Sequence, residues 1–563
     1  MERAAKMAKA THPTPRPASH LGVSPPISVA GPEALDLRLT ASLQQWLSFE
    51  GLGEAEEKFA RVRQTVLRLL RAFVHAVALS EGLTAEQAAD AGGAVLTLGS
   101  HALGAATPAA DIDLLAAVPY FVEPSHFFAR GGLDGQLREC PDVHALHALP
   151  DAFVPVVKFV LYGVHVDLLL ARLRLPQVAH DLSPSTSKLL HRCMGEADVN
   201  SLNGVRVAAA ILSLVPQREH FRCTLQAVKL WAQRRAINHS LLGFLGGVGW
   251  AMLTARVCQL YPNAVPSTLL ARFFSTWSQW KFGDVSLPVL LHPSDPTGDA
   301  ELPSHFAALD WNPQNARDRQ YVMQVITPCR PRICSTHAVC KSTLAVLKRE
   351  FARAATVTAA ATQAAARHGE TSPEPWAELF EPIDFFSLYK GFVVTQLSAD
   401  TQQQLVDWCG WVKSRIRRLV VALERQPAVE TVHPLAWPLA VAALSDDESH
   451  ATTPSKCISF FIGVSFVRGA AERVGAVRQV DLRPCAAEFV SALQGWERKT
   501  ELCPSARVEV RYTRKSQLPC EVLGGPTSLP FVNDQDRVAV CRSTAGLSIK
   551  ASSDVSLLES QLP

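Results

Sequence analysis

Gly99-Ser100 is followed, after a spacer of ten residues, by Asp111-Ile112-Asp113, and a third aspartate, Asp167, sits inside the apolar run Val164–Leu170. On an extended strand residues i and i+2 point to the same face, so Asp111 and Asp113 present two carboxylates side by side. Such a pair resists double ionisation unless a cation lies between its members. Oxygen ligands alone suit Mg²⁺, which is usually held by one or two carboxylates together with substrate phosphates. A bare Asp-x-Asp fits a solvated strand end as well, but two neighbours favour phosphate chemistry. Gly99-Ser100 closes a β-like run and can open a helix, where bare N–H groups and the helix dipole attract phosphate. The absent glycine side chain lets a phosphate approach the backbone, and the serine hydroxyl adds a donor. Asp167 is costly in so apolar a strand unless it is paired or bound to metal. By alternation it shares a face with His165 and Leu169, opposite Val166 and Leu168. Three aspartates converging from adjacent strands would make a two-metal site, with ions about 3.5–4 Å apart, suited to nucleotidyl transfer.

The elements that must position these groups are readable as periods. Helical spacing runs from Ala41 to about Val77, carried by Val66, Leu70, Phe73 and Val77. Strand-like runs follow at Ala94–Leu98, Ile112–Val118, Phe153–Leu161 and Val164–Leu170, the last two split by Tyr162-Gly163 as a tight turn. This is a mixed α/β unit. From about Ser201 to Lys348 the pattern is largely helical, clearest in Phe221–Arg235 with Leu225, Val228, Trp231 and Ala232 on one stripe, and interrupted by a proline-rich connection near Leu291–Asn315. An alanine-rich helix, Ala352–His368, leads to a polar break at Gly369–Pro375. Strands at Cys457–Val467, Val477–Leu482 and Arg507–Lys515, with a helix at Ala486–Trp496, give a β-β-α-β order and a small sheet with helices on one face.

The 563 residues are 48% hydrophobic and 19% charged, with 55 basic against 52 acidic side chains and a net charge of +3. At roughly 150 residues per domain this length allows about three or four domains. The balance excludes a histone-like polycation and a disordered acidic protein. Residues 1–30 hold no apolar run of signal-peptide length, and Leu241–Val257 is too short and too glycine-rich to span a bilayer, so a soluble chain is expected without membrane partners. The 13 cysteines show no repeated spacing and read as reduced thiols. Cys329, Cys334, His337 and Cys340 match no standard zinc pattern.

The longer strings carry a resemblance. Gly-Ser, the spacer, the paired aspartates and the later strand aspartate resemble the polymerase-beta-like nucleotidyltransferase superfamily. Leu21–Val29, Asp151–Lys158, Ser201–Gly204, Lys229–Ala232 and Leu242–Val248 resemble eukaryotic nuclear poly(A) polymerase, with similarity from about His20 to about Leu523, including Trp376–Leu379 and Val508–Lys515. The resemblance implies a polymerase-beta-like catalytic domain, a helical middle domain and an RNA-recognition-like α/β domain. It implies two Mg²⁺ ions, with Mn²⁺ as an alternative, on Asp111, Asp113 and Asp167, the last also preparing the RNA 3′-hydroxyl. It implies an ATP site of Leu98, Gly99, Ser100, Thr107, Ile112, Asn203, Lys229, Asn238, Gly247 and Val248 beside the aspartates. Asn203 and Lys229 would hold ribose and triphosphate, and Gly247 and Val248 the adenine side. A lone lysine on an amphipathic helix equally suits a snorkelling surface cation. The implied reaction is template-independent addition of AMP to an RNA 3′ end by a nuclear monomer, with pre-mRNA as primer and cleavage and polyadenylation factors as partners.

Two departures stand out against that resemblance. The family's usual tyrosine about nine residues after the lysine is here Asn238, and the basic residues of the family's spacer are absent, with Ala102 and Pro108–Ala110 in that stretch. Each lost charge-assisted bond predicts a weaker hold on ATP by about 1–2 kcal/mol. A terminal transferase of another nucleotide specificity, uridylyl or CCA-adding, and a catalytically weak RNA-binding scaffold therefore stay open. For the primer, residues 451–520 carry 11 basic and 6 acidic side chains, so the net charge of the chain resides there. The strand Arg507–Lys515 places Val508, Val510 and Tyr512 inward and Arg507 and Arg511 outward; with Arg514 and Lys515 it forms a candidate RNA track, or a solvated strand face. Lys413–Arg418, on an expected helix, reads as ordinary surface or part of an import signal. The expected division is a disordered 1–20, a segment 21–60 packing with the middle domain, a catalytic 61–190, a middle 191–370, an RNA-binding 371–525 and a tail 526–563.

Overall fold

The computed structural model describes residues 24–518 and 522, apart from 49–51, 108–109, 130, 151–153, 184–186, 285, 294–301, 369–375, 440–455, 468–471, 475–476 and 497–498. The expectations for the two termini and for the break at 369–375 lie outside the described residues. The helical period read between Ala41 and Val77 belongs to two helices, α1 (Ala34–Trp46) and α2 (Leu52–Ser80). They serve different cores. Leu39, Leu43 and Leu47 pack with the middle helices, whereas Phe59, Val62, Val66, Leu70 and Phe73 pack on the first sheet. Of the segment expected to join the middle domain as far as residue 60, the extended stretch at residues 24–29 and α1 do so, Ile27 N–H donating to the Leu260 carbonyl at 2.8 Å, whereas α2 turns to the first sheet.

The first sheet comprises β1 (Ala94–Thr97), β2 (Ile112–Pro119), β3 (Val143–Leu149), β4 (Val156–Leu161) and β5 (Val164–Leu173), with the short helix α3 (Gly99–Leu103) after β1. Its order is β1-β2-β5-β4-β3; only β2 and β5 are parallel, and every other pair is antiparallel. Ile112, Leu114, Val166 and Leu168 face α2, while Leu115, Ala117, Ala171 and Leu173 face the other side against Val199 and Leu202 of α4 (Glu196–Leu214). Burial on both faces explains why β2 and β5 read as nearly continuous apolar runs.

Helices α5 (Arg218–Arg234), α6 (Gly247–Leu260), α7 (Pro266–Gln279) and α8 (Lys341–His368) complete the middle region. The third region holds β6 (Gly391–Ala399), α9 (Gln402–Lys413), α10 (Ile416–Glu424), β7 (Val429–Pro434), β8 (Lys456–Phe466), β9 (Glu472–Val474), β10 (Val477–Gln479), α11 (Arg483–Gln494) and β11 (Arg507–Arg514). Its antiparallel sheet runs β11-β6-β8-β7. The expected β-β-α-β order is corrected here. The 477–482 strand is only the short β10 (Val477–Gln479), paired among the described residues with β9, and Leu482 instead enters the core at the start of α11. The sheet is completed by β6 and β7. The Lys413–Arg418 run is likewise not one helix, since it straddles the break between α9 and α10, and Arg417 Nε donates to the Ala338 carbonyl at 2.6 Å. Middle helices and C-terminal sheet share a continuous apolar core.

Candidate active site

The parallel pairing of β2 with β5 sets Asp113 opposite Asp167. Both lie on the sheet face away from α2, because their neighbours Ile112, Leu114, Val166 and Leu168 fill the α2 side. Asp111 precedes β2 and is exposed. Burial, then the charges of Asp167 and Asp111, push the Asp113 carboxyl up to about 7, against the opposing pull of Lys158 and Lys229. The donor set is all oxygen, and its three carboxylates outnumber the Lys158 and Lys229 ammonium groups that act on them, which is the chemistry a divalent cation would satisfy. Among the described residues no three His, Cys, Asp or Glu close a metal cage by themselves, neither Cys329, Cys334, His337 and Cys340 nor the aspartates, whose coordination would be completed by substrate phosphates.

One cation already reaches the aspartates. Lys158 on β4 forms an ion pair with Asp167. Lys158 has no role among the expectations above, although its signal is present in the turn. The two-residue turn at Tyr162-Gly163, with φ of 54° and 76°, makes Leu161 face Val164, which forces Lys158 to face Asp167.

The edge of the carboxylate pair is closed by backbone. Leu98 N–H donates to the Asp113 carbonyl at 3.0 Å, and Gly99, which opens α3, has φ +64°. A Cβ at Gly99 would overlap the Asp113 carboxylate. The Ser100 carbonyl accepts from Ala105 N–H at 2.9 Å, and the Thr107 carbonyl accepts from Ala110 N–H at 2.9 Å, shaping the start and end of the spacer loop.

From α5, Lys229 Nζ donates to the Ala105 carbonyl at 3.0 Å. Burial pushes its pKa down to about 8, partly offset by Asp113, so the ammonium and the aspartates feel one another. His101 on α3 is held neutral, pushed down to about 4 by burial and then by Lys229, with its ring edge against Phe59 at 4.0 Å. Asn203 lies on α4, one residue from Gly204, where a Cβ would crowd Leu98; its Nδ2 donates to the Pro331 carbonyl at 3.1 Å. Gly247 opens α6 into free space and Val248 packs partly on the core.

Asn238 lies beyond the end of α5. α5 ends at Arg234, and Ala236 takes φ +58°, with Ala236 N–H donating to Gln233 O at 3.0 Å and Ile237 N–H to Ala232 O at 2.9 Å. This paired closure ends a helix on a left-handed residue, normally glycine. Asn238 therefore sits beyond the turn, and its Oδ1 is buried without a hydrogen-bond partner.

The candidate RNA residues lie elsewhere, on β11 at the sheet edge. Val510 is buried, with Val508 and Tyr512 packed against the core, and Arg507 and Arg514 are exposed, while Arg511 is half-buried. Thr513 is buried, so the outward stripe is not continuous. Lys515 begins the turn after β11, its N–H donating to the Lys390 carbonyl at 2.9 Å.

Family models place these elements. The poly(A) polymerase nucleotidyltransferase domain matches residues 22–215, the poly(A) polymerase central domain 220–382, and the poly(A) polymerase predicted RNA binding domain 384–452. The chain belongs to the poly(A) polymerase family. A Dictyostelium discoideum poly(A) polymerase is 35% identical over 507 residues, covering 89% of this chain and 59% of that protein. Nuclear poly(A) polymerase 1 of Arabidopsis thaliana is 35% identical over 510 residues, covering 90% and 66%. Poly(A) polymerase pla1 of Schizosaccharomyces pombe is 39% identical over 418 residues, covering 73% and 70%. The chain thus spans about three-fifths of the Dictyostelium protein's length. A solved Cid1 poly(U) polymerase aligns with a TM-score of 0.39 and 14% identity over 62% of this chain and 99% of its own. No helix among the described residues is long and apolar enough to cross a membrane.

Proposed function

We propose that the chain is a template-independent poly(A) polymerase that transfers AMP from ATP to an RNA 3′ end and releases pyrophosphate. The observation that carries this reading is the facing of Asp113 and Asp167 across the parallel pair, beneath a glycine that leaves no side chain between them and an incoming phosphate. Asp111, Asp113 and Asp167 would hold two Mg²⁺ ions, or Mn²⁺, which lower the pKa of the attacking hydroxyl and neutralise charge on the leaving pyrophosphate. The 3′-oxygen forms a bond to the α-phosphorus as the bond from that phosphorus to its bridging oxygen breaks, and Asp167 takes the hydroxyl proton. The Lys158 ammonium orients the Asp167 carboxylate. Lys229 offers the triphosphate a poorly solvated cation, whose attraction is strong in a buried setting. With no template, the choice of base would fall to the walls near Gly247 and Val248 and to the segment carrying Asn238.

The test is incorporation of each of the four nucleotides onto an RNA primer, beside an Asp113→Ala control. AMP addition above the control supports the reading. Preferred UTP or CTP addition would reassign the nucleotide, and activity equal to the control would leave an RNA-binding scaffold. Asn238→Tyr is expected to lower the KM for ATP by roughly three- to tenfold, as a ring and a hydroxyl meet the nucleotide. An unchanged KM would mean that the side chain does not reach ATP.

The exposed Arg507 and Arg514, with Arg511 and Lys515, form the proposed track for the primer's phosphates. Arg507→Gln with Arg514→Gln should weaken RNA binding most at low salt and flatten the salt dependence, by about 1.4 in the log–log slope for two phosphate contacts on a single strand. An unaltered slope would make this face ordinary surface. The Arabidopsis relative's name supports a nuclear site of action; pre-mRNA ends as primers, processing factors as partners and a monomeric chain complete the proposed reading. A fluorescent fusion excluded from nuclei would refute that placement.

A further inference from the structure

From the end of α5, the helix that carries Lys229, runs a chain of buried polar contacts that the proposed chemistry does not use. Arg235, immediately after α5, has its Nε 2.8 Å from Oε2 of Glu350 on α8, and their side chains are 8% and 3% exposed. The same guanidinium donates to the Glu381 carbonyl at 3.1 Å, and the preceding carbonyl, that of Arg234, accepts from Ile383 N–H at 2.9 Å. One turn back, Trp231 stacks on Phe351, the neighbour of Glu350, with centroids 5.7 Å apart and planes at 22°. Glu350 and Phe351 together therefore grip the last turn of α5.

What they grip is a strained turn. Ala236 is left-handed, a conformation that a residue with a Cβ keeps only when its surroundings over-determine it. Three residues beyond Arg235, Asn238 offers a buried acceptor with no partner. A buried ion pair is weak as a stabiliser, since desolvation offsets most of its attraction, so stability alone is a poor reason for one here. α8 is itself referenced to the C-terminal sheet: Arg349 Nη1 donates to the Tyr389 hydroxyl at 3.4 Å, which lies 2.8 Å from Nδ1 of the fully buried His433 on β7.

We propose that Glu350 is a positioning residue for nucleotide binding, acting through Arg235 to hold the turn that presents Asn238. This rests on the reading above that Asn238 faces ATP. Glu350 touches no substrate. Its loss should relax the turn and withdraw Asn238, while the aspartates on β2 and β5 keep their places.

The test is a double-mutant cycle in the full chain. In Glu350→Gln the KM for ATP should rise about five- to tenfold with kcat changed less than about twofold, the mark of lost uniform binding. The dissociation constant of a non-hydrolysable ATP analogue should rise by the same factor, and the KM for RNA should hold. Asn238→Ala should raise the ATP KM too, and Glu350→Gln added to it should raise it by no more than about twofold further, because coupled residues are not additive. Independent, multiplicative effects would overturn the proposal, as would an unchanged ATP KM in folded Glu350→Gln. If Glu350→Gln does not fold, Arg235→Lys, which keeps the charge and loses the two-pronged grip, must show the raised KM, and a wild-type KM there overturns the proposal equally. Wild-type failure to add AMP would instead strike the functional reading itself.

Discussion

Asp113→Asn is expected to abolish AMP addition while making the protein harder to melt when no divalent metal is present. The loss of activity should be on the order of a thousandfold or more, because a carboxylate at the reacting phosphate is replaced by a neutral amide. The gain in stability has a separate cause. Burial and the charges of Asp167 and Asp111 push the Asp113 carboxyl up to about 7 from 3.8. A carboxyl whose folded pKa lies above its unfolded value contributes fully only below the unfolded pKa, and that contribution is lost as pH rises to the folded one. Wild type therefore loses stability between about pH 4 and pH 7 relative to Asp113→Asn, and the gap stays constant above. Access of water and ions to the carboxylates discounts the effect to about 1–3 kcal/mol. Melting curves without metal should coincide near pH 4 and separate above pH 7, with the variant higher. Added Mg²⁺ should raise the wild type toward the variant, as a ligand bound only by the folded state must. Coincident curves at pH 8 would mean that Asp113 carries no such burden.

The same residues show what could be read without coordinates. Asp111, Asp113, Asp167 and Gly99-Ser100 announced themselves because charges in apolar strands and a glycine at a strand end are anomalies of type and place. The Lys158–Asp167 pair was deducible from turn arithmetic, yet a lysine in an apolar strand has many innocent explanations until its partner is identified. β6 escaped notice because burial on both faces removes the alternation that marks a strand, leaving Gly391–Ala399 open to either reading. The end of α5 is legible to within a residue, since its apolar stripe stops at Arg235, but the left-handed closure beyond it is not, because its positive-φ residue is Ala236 where glycine is the usual marker. The Glu350–Arg235 contact joins residues 115 apart, and nothing local encodes it.

Gly99→Ala should cost about a hundredfold or more in kcat, the second large effect. Two demands meet at this residue: φ is +64°, and any Cβ would overlap the Asp113 carboxylate. The first alone is modest, about 1 kcal/mol for alanine in a left-handed conformation. The second displaces a carboxylate that has to meet substrate, and a shift of about 1 Å at a reacting centre can lower a rate a hundredfold. Gly163, in the β4–β5 turn, separates the two contributions. Its φ is +76°, but a Cβ there would meet nothing. Gly163→Ala should therefore show the loss of stability from backbone strain and keep its turnover. Gly99→Ala should match it in melting temperature to within a few degrees while losing nearly all activity, and its ATP KM should change less than its kcat. Equal turnover in the two variants would mean that the glycine serves the turn alone and that the carboxylate does not need the space it leaves.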